Sequence, residues 1–215
     1  CVGNLFTQLT SYPTLIRAFD RVEENQGGPG VDGVTIADIA VSLHRNLVEL
    51  RKALVDGSYR PAPLLRVAVA KKHGGTRILS IPTVRDRIAQ TAAALVLTPV
   101  LEPEFEDCSY AYRTGRSVQM AVQNILLHRQ QGYHWVVDAD ITTYFDEVDH
   151  GLLMEALARY TNDQRFLDLV GIWLRQEVQE GERTYPLEKG LAQGSPLSPL
   201  LANLFLDQFD EAILG

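Results

Sequence analysis

The chain has 215 residues, 46% of them hydrophobic and 22% charged, which suits one large core or two small ones and excludes a disordered tail or a coiled coil. Two cysteines, Cys1 and Cys108, make neither a disulfide framework nor a metal-ligand spacing, so a reducing, cytoplasmic setting is expected. A net charge of −7 excludes a uniformly basic nucleic-acid binder, and the longest apolar run, 91–101, is too short to cross a membrane.

In chain order, Leu15, Ile16 and Phe19 share one face and predict a helix over 12–24. The four glycines and one proline between Asn25 and Gly33 exclude a regular element there. Ile36, Ile39, Leu43, Leu47, Leu50 and Leu54 recur at three- and four-residue steps and predict one helix over 35–55. Two β-prone runs, 64–70 and 76–81, flank His73-Gly74-Gly75 and read as a hairpin. Pro82 opens a helix to about Leu101, and 115–131 forms another. Tyr133 to Ile141, carrying Trp135, Val136 and Val137, predicts a strand that ends in acids. Helices over 149–160 and 163–178, a loop over 185–198 and a last apolar helix over 199–214 complete the chain. Strand and helix do not alternate regularly, so the expected fold class is α+β. A lone strand at 133–141 makes no sheet, and the chain opens at Cys1, so a piece of something longer is expected.

Charge is segregated along the sequence. Between Gly57 and Thr91 stand seven basic residues and one acid; between Asp138 and Glu182 stand eleven acids and three arginines. Such neighbours suit phosphates held by one segment and cations by the other, or two solvated surfaces of unlike charge. Asp138 and Asp140 are two apart on the expected strand, so their carboxylates share a face and suit a hard cation, or else cap the strand and the next helix. Lys71 and Arg77 flank the hairpin turn and suit a triphosphate, Arg bidentate and Lys as a point charge, or else form an ordinary basic hairpin. In Gly190 to Pro199, Gln193 offers an amide beside Gly194, while Ser198 and Pro199 suit the start of a helix.

Taken together, these segments resemble the ordered blocks of group II intron reverse transcriptases. Asn25 to Val34 resembles the first block. Tyr59-Arg60-Pro61 through Asp86-Arg87, with Lys71, Gly74-Gly75, Arg77 and Ile81-Pro82-Thr83, resembles the second. Ser109 to Ser117 (SYAYRTGRS) resembles the insert that follows, Asp140 to His150 (DITTYFDEVDH) the third block, and Gly190 to Asn203 the fourth. The resemblance covers nearly the whole chain after residue 11 and implies fingers over 1–110 and the first part of a palm over 111–215, the thumb being absent. It implies an RNA-directed DNA polymerase using two Mg²⁺ ions, an RNA template, a DNA or RNA primer and deoxynucleoside triphosphates.

Residue by residue, the resemblance implies Asp140 as a catalytic carboxylate and metal ligand, with the Ile141 carbonyl beside it. It implies Lys71 and Arg77 on the triphosphate, Phe145 as the gate against a ribose 2′-hydroxyl, Gln193 near the sugar, and Arg113 and Arg116 along the template. Ala70, Ala192 and Thr142 stand where the family has Pro, Pro and Lys. The second metal-binding block, Tyr-x-Asp-Asp, is expected after Gly215, so this stretch alone is expected not to polymerise. The low basicity and the Asp-Ala-Asp-Ile onset favour the CRISPR-linked subgroup, with an integrase partner, over intron maturases that grip a large intron RNA. Two other readings fit fewer residues. Trp135 to Thr142 matches the D-x-D-x-T pattern of phosphatases, with Asp138 as nucleophile. A non-catalytic RNA-binding module would keep the same blocks.

Overall fold

The computed structural model describes residues 4–70 and 75–214. The helices are α1 (Leu5–Leu9), α2 (Tyr12–Glu24), α3 (Ile36–Val41), α4 (Leu43–Asp56), α5 (Val84–Leu101), α6 (Val118–Gln130), α7 (Tyr144–Glu147), α8 (His150–Ala158), α9 (Gln164–Leu174) and α10 (Ser198–Leu214). The strands are β1 (Leu64–Ala70), β2 (Thr76–Ile81), β3 (Glu177–Glu180) and β4 (Arg183–Pro186). The class is α+β, as expected.

The centre of the packing is α5. Apolar residues circle it, from Val84, Ile88 and Ala89 to Leu97 and Leu101, so it reads as a helix buried on every side. Its alanines at 89, 92 and 93 let α1 and α2 lie close. Thr83 caps its start by accepting from the Asp86 N–H. The Asp86 carboxylate is buried and accepts from the Tyr59 hydroxyl at 2.6 Å, the Thr83 hydroxyl at 2.8 Å and the Ala62 N–H at 3.0 Å. Trp173 of α9 donates its indole N–H to the same Tyr59 oxygen at 3.1 Å. Burial raises the pKa of Asp86, against the pull of its three donors. Burial, then the adjacent Asp86, lifts the Tyr59 phenol well above its usual range. One buried polar knot therefore ties the chain before β1 to α5 and α9.

The hairpin forms where expected, with Leu65 opposite Ile81 and Ala70 opposite Thr76. The sheet then extends unexpectedly. β3 pairs parallel to β1, Leu64 opposite Val178, and β4 pairs antiparallel to β3, giving the order β2-β1-β3-β4. The helix expected over 163–178 thus ends at Leu174, and the loop expected from Tyr185 begins inside β4. Gln179 and Gln176 are weak periodic signals, and pairing with β1 outweighs local helix preference. The helix expected over 35–55 is broken at Ser42, whose φ of −132° is not helical; the Ile39 carbonyl accepts from the Ser42 N–H at 3.3 Å and from the Asn46 side chain at 2.9 Å.

The strand expected over 133–141 does not form. Trp135 is 96% exposed and Val137 93%, and among the described residues no strand lies beside the segment. β-prone side chains make a strand only against a ladder partner. A single apolar cluster runs from Leu5 to Leu204, and the sheet draws two strands from each side of residue 110. No helix among the described residues is long and apolar enough to cross a membrane.

α10 packs on α8 and α5. Asp207 is buried on it beside Glu211, Asp210 and Glu106, and its Oδ1 has no partner. Burial, then those three acids, pushes its pKa up to about 6 from 3.8, and the Glu106 N–H holds it back. Because the folded pKa is raised, the stabilisation is whole below about pH 4 and is lost as pH rises through about 6. Asp207→Asn should therefore raise stability at pH 7–8 by about 2 kcal/mol and flatten the decline between pH 4 and 6, read by urea denaturation across that range.

Candidate nucleotide-binding cleft

A cleft of about 880 Å³ opens between the β1–β2 hairpin and the loop 187–193. Arg66, Arg77, Asp146, Lys189 and Gln193 line it together with Thr143 and Ser80. Its shape depends on how the loop 190–194 is held. On one side the Gly190 N–H donates to the Val148 carbonyl at 2.8 Å, and the Leu191 N–H donates to the Phe145 carbonyl at 2.6 Å. On the other, the Ser80 N–H of β2 donates to the Gln193 carbonyl at 2.7 Å. His150 Nε2 donates to the Gly190 carbonyl at 2.7 Å, which fixes the proton on that nitrogen.

Two glycines make this threading sterically allowed. Gly190 has φ +84°, and a Cβ there would sit 2.8 Å from the Asp146 carbonyl oxygen. Gly194 has φ +133°, and its Cβ would sit 2.8 Å from the Ser80 carbonyl oxygen. Both positions require glycine for conformation and for space.

Arg77 Nε donates to Gln193 Oε1 at 3.1 Å, and Gln193 Nε2 donates to Asp146 Oδ1 at 3.2 Å. The two expected nucleotide contacts, Arg77 and Gln193, are therefore brought together. The terminal nitrogens of Arg77 have no partner among the described residues, whereas Lys189 is paired with Glu147 at 2.6 Å. Arg66 bonds to the Tyr185 hydroxyl and lies 3.8 Å from Glu180. Lys71, expected beside Arg77, lies outside the described residues.

Phe145 is half-buried at the start of α7. Its ring meets Tyr112 edge-on at 6.3 Å and Tyr144 at 5.9 Å. The adjoining backbone is unusual: Thr143 and Tyr112 have φ of 51° and 57°, in the left-handed region that non-glycine residues rarely occupy. Both walls are fastened to α10. Tyr144 donates to the Ala202 carbonyl at 2.7 Å, and Asn203 donates to the Ala111 carbonyl at 2.8 Å. Burial, then Asp210, pushes the Tyr144 phenol up to about 12, so it remains a donor at neutral pH.

Asp138, Asp140 and Ile141 lie exposed on the unpaired segment leading to α7. An exposed carboxylate next to a free carbonyl is the hard-oxygen chemistry that a divalent cation takes. Among the described residues, however, no group of three His, Cys, Asp or Glu side chains is placed to hold a metal. The residues present fit part of a ligand set.

Arg113 does not lie open to a template. It is buried, ion-paired to Glu102 at 2.9 Å, and donates to the carbonyls of Glu106 and Ser109 at 2.5 and 2.9 Å. That corrects the expected template contact: its donors are spent bracing the loop 102–113. Arg116 is half-buried and held by Asp107 at 2.6 Å. Sequence reasoning assigned no part to Asp146, His150, Tyr112 or Ser80. Asp146 and His150 stand inside the quoted DITTYFDEVDH run, but their partners are 40 or more residues away in sequence.

Three comparisons bear on this cleft. Residues 69–215 match the family described as reverse transcriptase (RNA-dependent DNA polymerase). The chain is 37% identical over 191 residues to protein YkfC of Escherichia coli (strain K12), covering 85% of this chain and 49% of that protein. It is 30% identical over 220 residues to the group II intron-encoded protein LtrA of Lactococcus lactis subsp. cremoris, covering 99% of this chain and 36% of that one. It thus spans half or less of the length of these relatives. Among solved structures, it superposes on a chain of a partial Cas6-RT-Cas1–Cas2 complex with a TM-score of 0.62 and 30% identity, over 98% of this chain and 35% of that one.

Gly194→Ala should cost about 2–3 kcal/mol, because the new methyl meets fixed backbone as well as an unfavourable φ. Gly132→Ala, at φ +100° in open space, should cost about 1 kcal/mol. Urea denaturation of the two variants side by side measures the difference.

Proposed function

This chain belongs to the reverse transcriptase family, and we propose that it forms the fingers and first part of the palm of an RNA-directed DNA polymerase of the group II intron type. The observation that supports this most is the union of Arg77, from the basic hairpin, with Gln193, from a loop 116 residues away, at one cleft that Asp146 also lines. In this reading 1–110 forms the fingers and 111–215 the palm portion, joined through the shared sheet.

The incoming deoxynucleoside triphosphate lies in the cleft. The free guanidinium end of Arg77, with Lys71, takes its phosphates in charge-assisted hydrogen bonds. Gln193 lies near the sugar, and the ring of Phe145, wedged between Tyr112 and Tyr144, fills the space a 2′-hydroxyl needs. The primer 3′-oxygen bonds to the α-phosphorus as the bond to the pyrophosphate oxygen breaks. Catalysis is positioning and charge stabilisation. Mg²⁺, when bound, supplies charge to the attacking and leaving oxygens; Asp140 and the Ile141 carbonyl are the donors this chain offers it.

The template is RNA, the primer DNA or RNA, and the setting the cytoplasm. Identity to an intron-encoded protein and to a Cas6-RT-Cas1 chain is the same 30%, so similarity supports intron RNA and an integrase equally as further partners. The phosphatase reading accounts only for 135–142 and gives no part to the other blocks, whereas the reverse transcriptase match runs over 69–215.

In the full-length protein, Asp140→Asn should lower primer extension on RNA by about a hundredfold or more, and Asp138→Asn should leave it near wild type. Loss with Asp138→Asn alone, or RNA binding without any extension by the wild type, would reject the polymerase. Phe145→Ala should raise ribonucleotide use relative to deoxynucleotide use by about tenfold or more, measured as a ratio of kcat/KM values.

A further inference from the structure

Gln193 stands between a group that only accepts and a group that only donates. Asp146 accepts from Gln193 Nε2 at 3.2 Å; Arg77 donates to Gln193 Oε1 at 3.1 Å. An amide has one carbonyl and one NH₂, so this order is the one arrangement that satisfies both neighbours. Turned over, the amide would set NH₂ against the Arg77 N–H and its carbonyl against the Asp146 carboxylate. The backbone of the same residue is already fixed, because its carbonyl accepts from Ser80 at 2.7 Å. What remains free is the flip of the side chain, and the carboxylate of Asp146 opposes that flip.

We infer that Asp146 is a positioning residue for nucleotide binding: by fixing which end of the Gln193 amide faces Arg77, it holds the Arg77 guanidinium with its terminal nitrogens turned to the cleft. The inference rests on the polymerase reading for its consequence, though the hydrogen-bond chain stands by itself. Asp146 is exposed, and its backbone N–H is secured by the Thr143 carbonyl at 2.8 Å, so its side chain is not needed to hold α7. The paired cations of the cleft differ in this respect. Lys189 is neutralised by Glu147, while Asp146 reaches Arg77 through an uncharged relay that leaves the arginine's charge for a ligand.

Two measurements on the full-length protein test this. The first reads the relay directly: the ¹⁵N-labelled Nε–H resonance of Arg77, identified by its loss in Arg77→Ala, should shift in Asp146→Ala and stay near its wild-type position in Asp146→Asn, whose carbonyl still accepts from Gln193. An unmoved resonance in Asp146→Ala would overturn the proposal whether or not the protein polymerises. The second reads the consequence. Asp146→Ala should raise KM for the deoxynucleotide by about threefold to tenfold with kcat within about twofold, Asp146→Asn should restore most of it, and in an Arg77→Ala background Asp146→Ala should add nothing. A full, multiplied effect of Asp146→Ala in that background would show that it does not act through Arg77. If Asp146→Ala fails to fold, Asp146→Leu, which removes the acceptor at similar volume, enters the same cycle in its place. A wild type that incorporates no nucleotide, while the resonance shifts as stated, would sink the polymerase reading and leave the relay standing.

Discussion

Five residues of loop, 190–194, hold the cleft in shape. Their backbone bonds on one side to Phe145 of α7 and to Val148 just after it, and on the other to Ser80 of β2. The bridge is made from main-chain groups because side chains would not fit: glycines at 190 and 194 bring two backbones within the distance a Cβ would occupy. The consequence is that a guanidinium from the hairpin and a carboxylate from α7 reach the same glutamine amide. Moving the loop by one side chain's width would part them.

That bridge is useful only if its two supports do not move relative to each other. The buried knot of Tyr59, Asp86, Thr83 and Trp173 supplies this rigidity. It joins the start of α5, immediately after β2, to α9, immediately before β3. The hairpin and the β3–β4 pair are thereby fixed at their roots as well as along the sheet. Burying a carboxylate is costly unless it is satisfied, and here three donors meet it. The first glycine-rich segment packs against the same region: a Cβ at Gly30 would lie 2.7 Å from the Thr83 backbone, and Arg87 donates to the Gly28 carbonyl at 2.6 Å. Residues that read as an irregular loop in the sequence are, in the structure, a brace for the start of α5.

α10 plays the matching part on the other wall. Through Ala202 and Asn203 it fastens both Tyr144 and the loop that carries Tyr112, and so fixes the two rings that flank Phe145. The gate proposed for Phe145 requires a ring that cannot swing away, and backbone in the left-handed region at Thr143 and Tyr112 is tolerated because the surroundings fix it. The arginines of that same loop illustrate the opposite lesson. Arg113 has the charge of a template contact, yet five carbonyl and carboxylate contacts draw it inward.

The amino-acid order alone determined what is local: the helical periods of α2 and α5, the β1–β2 hairpin and the residue types of the site. Those follow from spacing and from turn chemistry acting over a few residues. It also carried the family resemblance, because the ordered blocks are written in the chain. Only the tertiary structure decided which residues meet. The pairing of β3 with β1 spans more than a hundred residues and has no local signal. The run 133–141 has every local mark of a strand and is none, since a strand is a relation between two segments. Asp146 and Gln193 stand 47 residues apart in the chain and within one hydrogen bond in space. Propensity acts between neighbours, whereas a binding site is made by long-range closure, and the glycines that permit that closure look in sequence like ordinary loop residues.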